Sequence, residues 1–110
     1  MKKMSLVLVL LLLSGGACFA ADVTAGSPQL QKCLKHIEEM PDIAAAEAQA
    51  WIKKNGGSEA HLCRAFAQSA RGMHEDAARE FWALASSYDK TDAGRAVMMH
   101  NLAGKEFLAA

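Results

Sequence analysis

Residues 58–87 read SEAHLCRAFAQSARGMHEDAAREFWALASS, and this stretch decides the fold. Apolar side chains recur every three or four residues on each side of Gly72, the spacing that places them on one face of a helix. In the first half they are Leu62, Cys63, Phe66, Ala67 and Ala70. In the second half they are Ala77, Ala78, Phe81, Trp82, Leu84 and Ala85. Two amphipathic helices joined by so short a turn must fold back as an antiparallel hairpin.

The segment before this hairpin predicts two further helices. A single hairpin cannot cover both of its apolar faces, so neighbouring segments are expected to stack on it, as in a helical-repeat solenoid. Ser27 followed by Pro28 predicts the start of a first helix, because serine accepts hydrogen bonds from free amides and proline fits the first helical position. Pro41 interrupts this helix, and Asp42 is expected to cap a second helix over residues 43–55. The apolar stripe of the first helix is Leu30, Cys33, Leu34, Ile37 and Met40.

The second helix is interpreted as part of an earlier repeat. Its packing residues are predicted to be Ile43, Ala46, Ala50 and Trp51. Shifting the central hairpin back by about 31 residues lays Ala77 on Ala46. The same shift lays Trp82 on Trp51, and both tryptophans are predicted to pack in the core. Residues 29–57 are therefore interpreted as a divergent copy of the hairpin.

A fifth helix is predicted from about residue 91 to the end of the sequence. Its inward stripe is predicted to be Ala93, Ala96, Val97, Met99, His100, Leu102, Ala103, Gly104 and Phe107. This helix is apolar over much of its circumference, whereas a helix that ends a solenoid normally has a polar outer face. We therefore expect a further segment or a partner to cover it.

The central hairpin resembles a known repeat. Gly72, Ala77 and Phe81 follow one another as in the tetratricopeptide (TPR) repeat, in which the glycine opens the turn, the alanine lies where the two helices touch, and the aromatic fills the gap to the next repeat. Gly104 and Phe107 are similar to the close-packing glycine and the following aromatic of the first TPR helix. The resemblance implies an all-α domain over residues 29–110, built as a right-handed stack of antiparallel hairpins with about five helices.

The resemblance also implies a non-catalytic scaffold that binds another protein or a peptide. TPR domains line a concave groove mainly with the first helix of each repeat. The outward side chains there are Lys32, His36, Arg64, Gln68 and Arg71, and these are the candidate contacts. Their basic character indicates a peptide with acidic groups. The alternative is a structural protein that self-associates through its uncovered fifth helix.

Residues 1–20 have the pattern of a signal peptide. Two lysines supply the positive start, and the apolar run over residues 6–13 is too short to span a bilayer. Cleavage is expected after Ala20, with residues 21–28 as a flexible leader, which would place the mature chain in the periplasm or outside the cell. The alternatives are a lipoprotein anchored through Cys18 and an uncleaved membrane anchor.

The composition argues against several classes of function. The chain has 12 basic and 12 acidic residues, and loss of Lys2 and Lys3 with the signal peptide leaves 10 basic ones, a net charge near −2. This balance gives no electrostatic surface for nucleic acid or anionic membranes. The sequence has no nucleophile elbow, zinc-protease motif or glycine-rich phosphate loop, so neither enzymatic activity nor a cofactor is expected.

Cys33 and Cys63 are the two cysteines of the expected mature chain. Both lie on inward stripes, in equivalent places of successive repeats. Because a signal peptide directs the chain to an oxidising compartment, we predict a disulfide between them, worth about 3 to 4 kcal/mol on the chain-entropy model. The alternative is two buried thiols that act as small hydrophobic residues. The sequence has no C-x-x-C pair, which argues against a redox-active role.

Histidine and methionine residues suggest one more alternative, a copper site in a small copper- or thiol-handling protein. The residues are His61, His74, His100, Met73, Met98 and Met99. His100 falls on the inward stripe of its helix and His61 on an outer face, so they are not expected to converge. We therefore interpret them as ordinary core or surface residues.

Overall fold

The computed structural model describes residues 26–110, and these form five α-helices in an all-α fold, as predicted. The helices are α1 Pro28–Glu39, α2 Pro41–Lys53, α3 Gly57–Ala70, α4 His74–Tyr88 and α5 Ala93–Ala109. Each helix packs against the next one in sequence, and α1 also packs against α3. The result is a stack of antiparallel helical hairpins. The predicted signal peptide and most of the predicted leader lie outside the described residues.

Side-chain caps fix the starts of α1 and α5. The Ser27 hydroxyl accepts a hydrogen bond from the backbone N–H of Leu30 at 3.2 Å, and Pro28 lies in the first turn, as predicted. The Asp92 carboxylate accepts a bond from the backbone N–H of Arg95 at 3.1 Å. Both caps satisfy amides that have no partner within the helix.

The start of α2 differs from the prediction that Asp42 would cap it. The helix begins at Pro41, one residue earlier, and no side chain caps it. Proline has no amide hydrogen to satisfy, so it fits the first helical position without help. Asp42 lies in the first turn instead, where its charge suits the helix dipole. Only Met40 separates α1 from α2.

Gly72 forms the turn between α3 and α4. Its φ is +77°, a left-handed conformation that glycine adopts without steric cost. The backbone N–H of Gly72 donates to the carbonyl of Ser69 at 3.0 Å, and that of Met73 donates to the carbonyl of Gln68 at 2.9 Å. These bonds satisfy the last carbonyls of α3 and reverse the chain direction.

The larger hydrophobic cluster lies where α3, α4 and α5 meet. Phe81 is fully buried, and its ring packs edge-on against Phe66 with the centroids 5.1 Å apart. Ala77 is also fully buried, and its small side chain allows α4 to approach α3 closely. The buried members are Ala65, Ala77, Phe81, Leu84, Ala85, Tyr88, Ala96, Met99 and Ala103.

The smaller cluster joins α1, α2 and α3 around the predicted disulfide, which the structure confirms. Cys33 and Cys63 are bonded, with their Cα atoms 6.1 Å apart and a sequence separation of 30. Leu30 and Ala48 complete the buried set, and Trp51 packs against it half-buried. The disulfide therefore links the first hairpin to the first helix of the second.

The packing face of α2 differs from the prediction. Ala44 and Ala48 are fully buried, whereas Ala46 and Ala50 are exposed and Ile43 is 46% exposed. Alanines occupy both sides of this helix, so hydrophobicity alone does not identify the buried side. Ala77 and Phe81 of α4 are also fully buried and lie 33 positions after Ala44 and Ala48. The buried positions of α2 and α4 therefore align at a shift of 33, and the predicted shift of 31 is wrong.

The inward stripe predicted for α5 is too wide. Ala96, Met99 and Ala103 are buried, whereas Val97 is 60% exposed and Ala93 is also exposed. Helix α5 packs on α4 and on part of α3, and within residues 26–110 no helix covers its other side. Only one side of its broad apolar surface is therefore buried.

Two residues assigned to packing also lie at the surface. Trp82, predicted in the core, is 54% exposed. Ala70, at the last position of α3, is exposed as well. Because Phe81 occupies the inward position next to Trp82, the indole is directed to the helix flank.

Candidate protein-binding surface

Arg64, the central candidate contact on α3, forms an ion pair within the chain. Its guanidinium donates two hydrogen bonds to Glu80 of α4, at 2.7 and 2.9 Å. A third bond goes to the side-chain oxygen of Gln49 on α2 at 2.8 Å. Such a bidentate pair fixes geometry strongly. Arg64 therefore joins α2, α3 and α4, and its charge is already neutralised.

His36 and Arg71 are also paired with carboxylates of α2. His36 Nδ1 lies 2.9 Å from Glu47 Oε2. Arg71 Nε donates to Asp42 Oδ1 at 2.7 Å and so connects the end of α3 to the start of α2. Two of the candidate contacts are thus bonded between neighbouring helices.

The two remaining candidates lie in different places. The side-chain oxygen of Gln68 is buried and has no hydrogen-bond partner among the described residues. Lys32 lines a cleft of about 190 Å³ beside the disulfide, together with Trp51. The structure therefore does not bring the five predicted contacts together as one free basic surface.

The histidines proposed as copper ligands lie beside different carboxylates. His61 Nδ1 is 3.3 Å from Glu80, and His100 Nε2 is 3.8 Å from Asp89. His74, at the start of α4, contacts Glu106. Among residues 26–110, no group of three or more His, Cys, Asp or Glu side chains could hold a metal ion.

Ser69, His74 and Glu106 meet at the end of the stack and contain the residue types of a catalytic triad. The Ser69 hydroxyl donates to one carboxylate oxygen of Glu106, and His74 Nδ1 lies 2.6 Å from the other. In a triad the histidine lies between the serine and the acid, so that it can take the hydroxyl proton. Here the acid lies between them. The cluster therefore has a structural role, connecting α3, α4 and α5.

The most exposed apolar surface lies along α4 and α5, and we call it the α4–α5 edge. It consists of Trp82 on α4 and of Val97, His100, Gly104, Phe107 and Leu108 on α5. Besides Trp82 and Val97, Phe107 is 48% exposed and Leu108 is 90% exposed. The Trp82 ring contacts the His100 ring edge-on, with centroids 4.9 Å apart, so the two helices present one continuous surface.

Helical geometry explains why this side of α5 remains open. Met99 and Ala103 face α4 in the buried cluster. Because successive residues turn by about 100°, Val97 and Gly104 lie roughly a third of a turn further around the helix. Nothing lies within 4 Å of a Cβ built on Gly104, so the close packing implied by the TPR resemblance is absent within the described chain.

The side of α3 that corresponds to this edge contacts the next helix, α4. Met99 lies 36 positions after Cys63, and each belongs to the stripe that packs on the preceding hairpin. Val97 and His100 lie 36 positions after His61 and Arg64, which contact α4. The α4–α5 edge is therefore the side of α5 that corresponds to the α4-contacting side of α3.

Part of this edge could be found from the sequence. The apolar circumference of α5 indicates that something must cover it. The prediction that Val97, Gly104 and Phe107 pack inward is wrong, because all three are exposed. Leu108 was missed because it lies outside the predicted stripe, and Trp82 because a large aromatic on an amphipathic helix usually packs in the core.

Within residues 26–110, no helix combines the length and apolarity needed to cross a membrane. No model of a known protein family matches the chain, and no match is found among curated proteins or among solved structures.

Proposed function

We propose that this chain is a non-catalytic, TPR-like adaptor that binds another protein through its α4–α5 edge. The observation that supports this most strongly is the concentration of exposed apolar side chains there. Four of the seven large hydrophobic residues exposed in residues 26–110 belong to this edge: Trp82, Val97, Phe107 and Leu108. Contiguous apolar surface of this kind marks interaction sites, and tryptophan is among the residues that contribute most to binding energy.

The cell envelope is the proposed location. A disulfide between Cys33 and Cys63 favours an oxidising compartment, because cytosolic thiols are kept reduced. The signal-like pattern of residues 1–20 agrees with export to the periplasm or out of the cell. Mass spectrometry of the mature protein would test this, since an N-terminus at residue 21 is expected.

Self-association through α5 is the second candidate, favoured by the shape of the edge. If two copies of α5 paired antiparallel about residue 102, Val97 of one would face Phe107 of the other, and His100 would face Gly104. The free space over Gly104 would accept the imidazole ring. A monomer by light scattering at high concentration would contradict this candidate.

The test of the adaptor function is affinity purification from envelope extract with two matched variants. Val97→Asp places a charge on the edge, and Ile43→Asp places one on α2 at a similarly exposed aliphatic position, 46% exposed. We expect Ile43→Asp to recover the same partner as the unaltered protein and Val97→Asp to lose it. Equal recovery by both variants would refute the assignment of the binding surface.

A further inference from the structure

We propose that the partner supplies an amphipathic, acidic α-helix that lies along α5 and antiparallel to it, as a sixth helix of the stack. This inference rests on the proposed adaptor function. It comes from the way in which α3 holds α4 within this chain.

The exposed side of α5 is long enough for another helix to pack along it. Helix α5 has 17 residues, a length of about 25 Å, and α4, which packs beside α3, has 15. At the α3–α4 interface, the small side chains Ala65 and Ala77 are both fully buried. On α5, Gly104 has no side chain, and no atom lies within 4 Å of a Cβ built there. A helix with a small residue at that point could approach as closely as α4 approaches α3.

The apolar residues of the edge occur at both ends of α5. Val97 lies near its start and Leu108 near its end, with Trp82 extending the surface onto α4. An occupant must therefore present apolar side chains over about three turns on one face, which is the pattern of an amphipathic helix.

The charge of the edge favours an acidic occupant. At the α3–α4 interface, the cation Arg64 lies on α3 and the anion Glu80 on α4. Beside the edge, Lys105 is exposed and forms neither an ion pair nor a hydrogen bond within residues 26–110. Lys90, at the end of α4, is likewise without such a partner. Asp89 lies nearby, but it already faces His100 at 3.8 Å.

The same charges disfavour a second copy of this chain as the occupant. In an antiparallel α5 pair centred on residue 102, the two Lys105 residues would lie about 9 Å apart along the axis. At physiological salt this repulsion would be largely screened, but each Lys105 would still lack a carboxylate partner. A partner with carboxylates at these positions would instead gain complementary charge.

Photo-crosslinking identifies the occupant directly. The full chain would carry p-benzoylphenylalanine at position 97, or at position 43 as the control, in the cells that produce it. We expect position 97 alone to crosslink to another protein, within a segment of alternating apolar and acidic residues at helical spacing. A crosslink to this chain itself would overturn the inference in favour of self-association. Absence of any crosslink specific to position 97 would overturn both the inference and the proposed function.

The crosslinked segment, made as a peptide, then tests its conformation and charge. We expect it to gain helical circular dichroism on binding. Lys105→Glu should weaken its affinity about two- to fivefold, the range expected for one exposed charge pair. The exposed Lys35→Glu on α1 is the matched control and should leave affinity unchanged. Tight binding without helix formation, or equal effects of the two reversals, would overturn the helical, acidic occupant while leaving the adaptor function intact.

Discussion

Breaking the disulfide between Cys33 and Cys63 should lower the free energy of unfolding by an amount that its position in the chain determines. The two cysteines are 30 residues apart. Closing a loop of that length in the unfolded chain removes conformational entropy worth about 3.6 kcal/mol at 25 °C on the chain-entropy model. Because small domains are stable by only about 5 to 15 kcal/mol, this one bond is a large part of the total.

The clean comparison is between the oxidised protein and the same protein reduced by a phosphine. Both keep the sulfur atoms, so the comparison isolates the covalent link. Urea unfolding followed by circular dichroism would give each free energy, and Trp51 fluorescence, measured in a Trp82→Phe background, would report on the region beside the disulfide. With a denaturant slope of about 1 kcal/mol per M, the midpoint should fall by about 3.6 M on reduction.

A double variant, Cys33→Ala with Cys63→Ala, separates packing from cross-linking. Both sites are nearly inaccessible, at 5% and 1% exposure. Removing the two sulfur atoms should therefore cost about a further 1 kcal/mol beyond reduction, through lost packing. The denaturant slope should also rise when the link is absent, because the unfolded chain then exposes more surface.

A small difference in the free energy of unfolding between the oxidised and reduced proteins would refute this prediction. If mass spectrometry shows the disulfide intact in one sample and broken in the other, and their free energies differ by less than about 1 kcal/mol, loop closure is not the source of stability. A reduced chain that remains unfolded without urea would instead agree with a loss of this size.

Three further predictions concern single residues. Arg64→Ala should lower the free energy of unfolding by about 2 kcal/mol, because it leaves the largely buried carboxylate of Glu80 with fewer partners. Arg79→Ala removes an exposed ion pair with Glu75 and should cost under about 0.5 kcal/mol. Equal costs in urea titrations would contradict this. Gly56→Ala should lower the melting temperature, because a Cβ there would overlap Trp51. Gly104→Ala should raise the melting temperature, because alanine favours the helix over glycine by about 0.5 to 1 kcal/mol and its Cβ meets no other atom. Shifts of the same sign would be inconsistent with this packing. Phe81→Leu should cost about 1 to 2 kcal/mol by losing the aromatic contact, and thermal unfolding with no measurable shift would count against its central position.

The parts predicted from sequence are those where one local signal has one structural solution. A short glycine turn between two amphipathic segments allows only an antiparallel hairpin, and Gly72 has the positive φ that this turn requires. Cys33 and Cys63 lie on apolar stripes and are the two cysteines of the expected mature chain, so their pairing could be predicted from the sequence.

The packing register of α2 could not be predicted for a physical reason. Alanine has little hydrophobic surface and occurs on every side of this helix, so Ala44 and Ala46 are indistinguishable by hydropathy. The helix turns its side with Ala44 and Ala48 inward because α1 and α3 meet it there. This is a tertiary constraint that residues within one helix do not encode.

The candidate site was recognised only in part for a related reason. Sequence periodicity identifies which side chains of α5 are apolar, but it does not say which of them the rest of the chain covers. Val97 and Ala96 are adjacent and both apolar, yet one is largely exposed and the other is buried. The ion pairs of Arg64 and Arg71 were missed because their acidic partners lie on other helices.

The position of the disulfide divides the stack into two regions of unequal resistance to opening. Helices α1 and α3 are joined covalently, and α2 lies between them in sequence, whereas α4 and α5 are held by non-covalent packing alone. In a stack of this kind each element depends mainly on its neighbours, so opening begins where the restraints are fewest. Amide hydrogens of α5 should exchange with solvent sooner than those of α3. A protein that docks along α5 would slow that exchange, so its binding energy would also stabilise the end of the stack that the disulfide does not restrain.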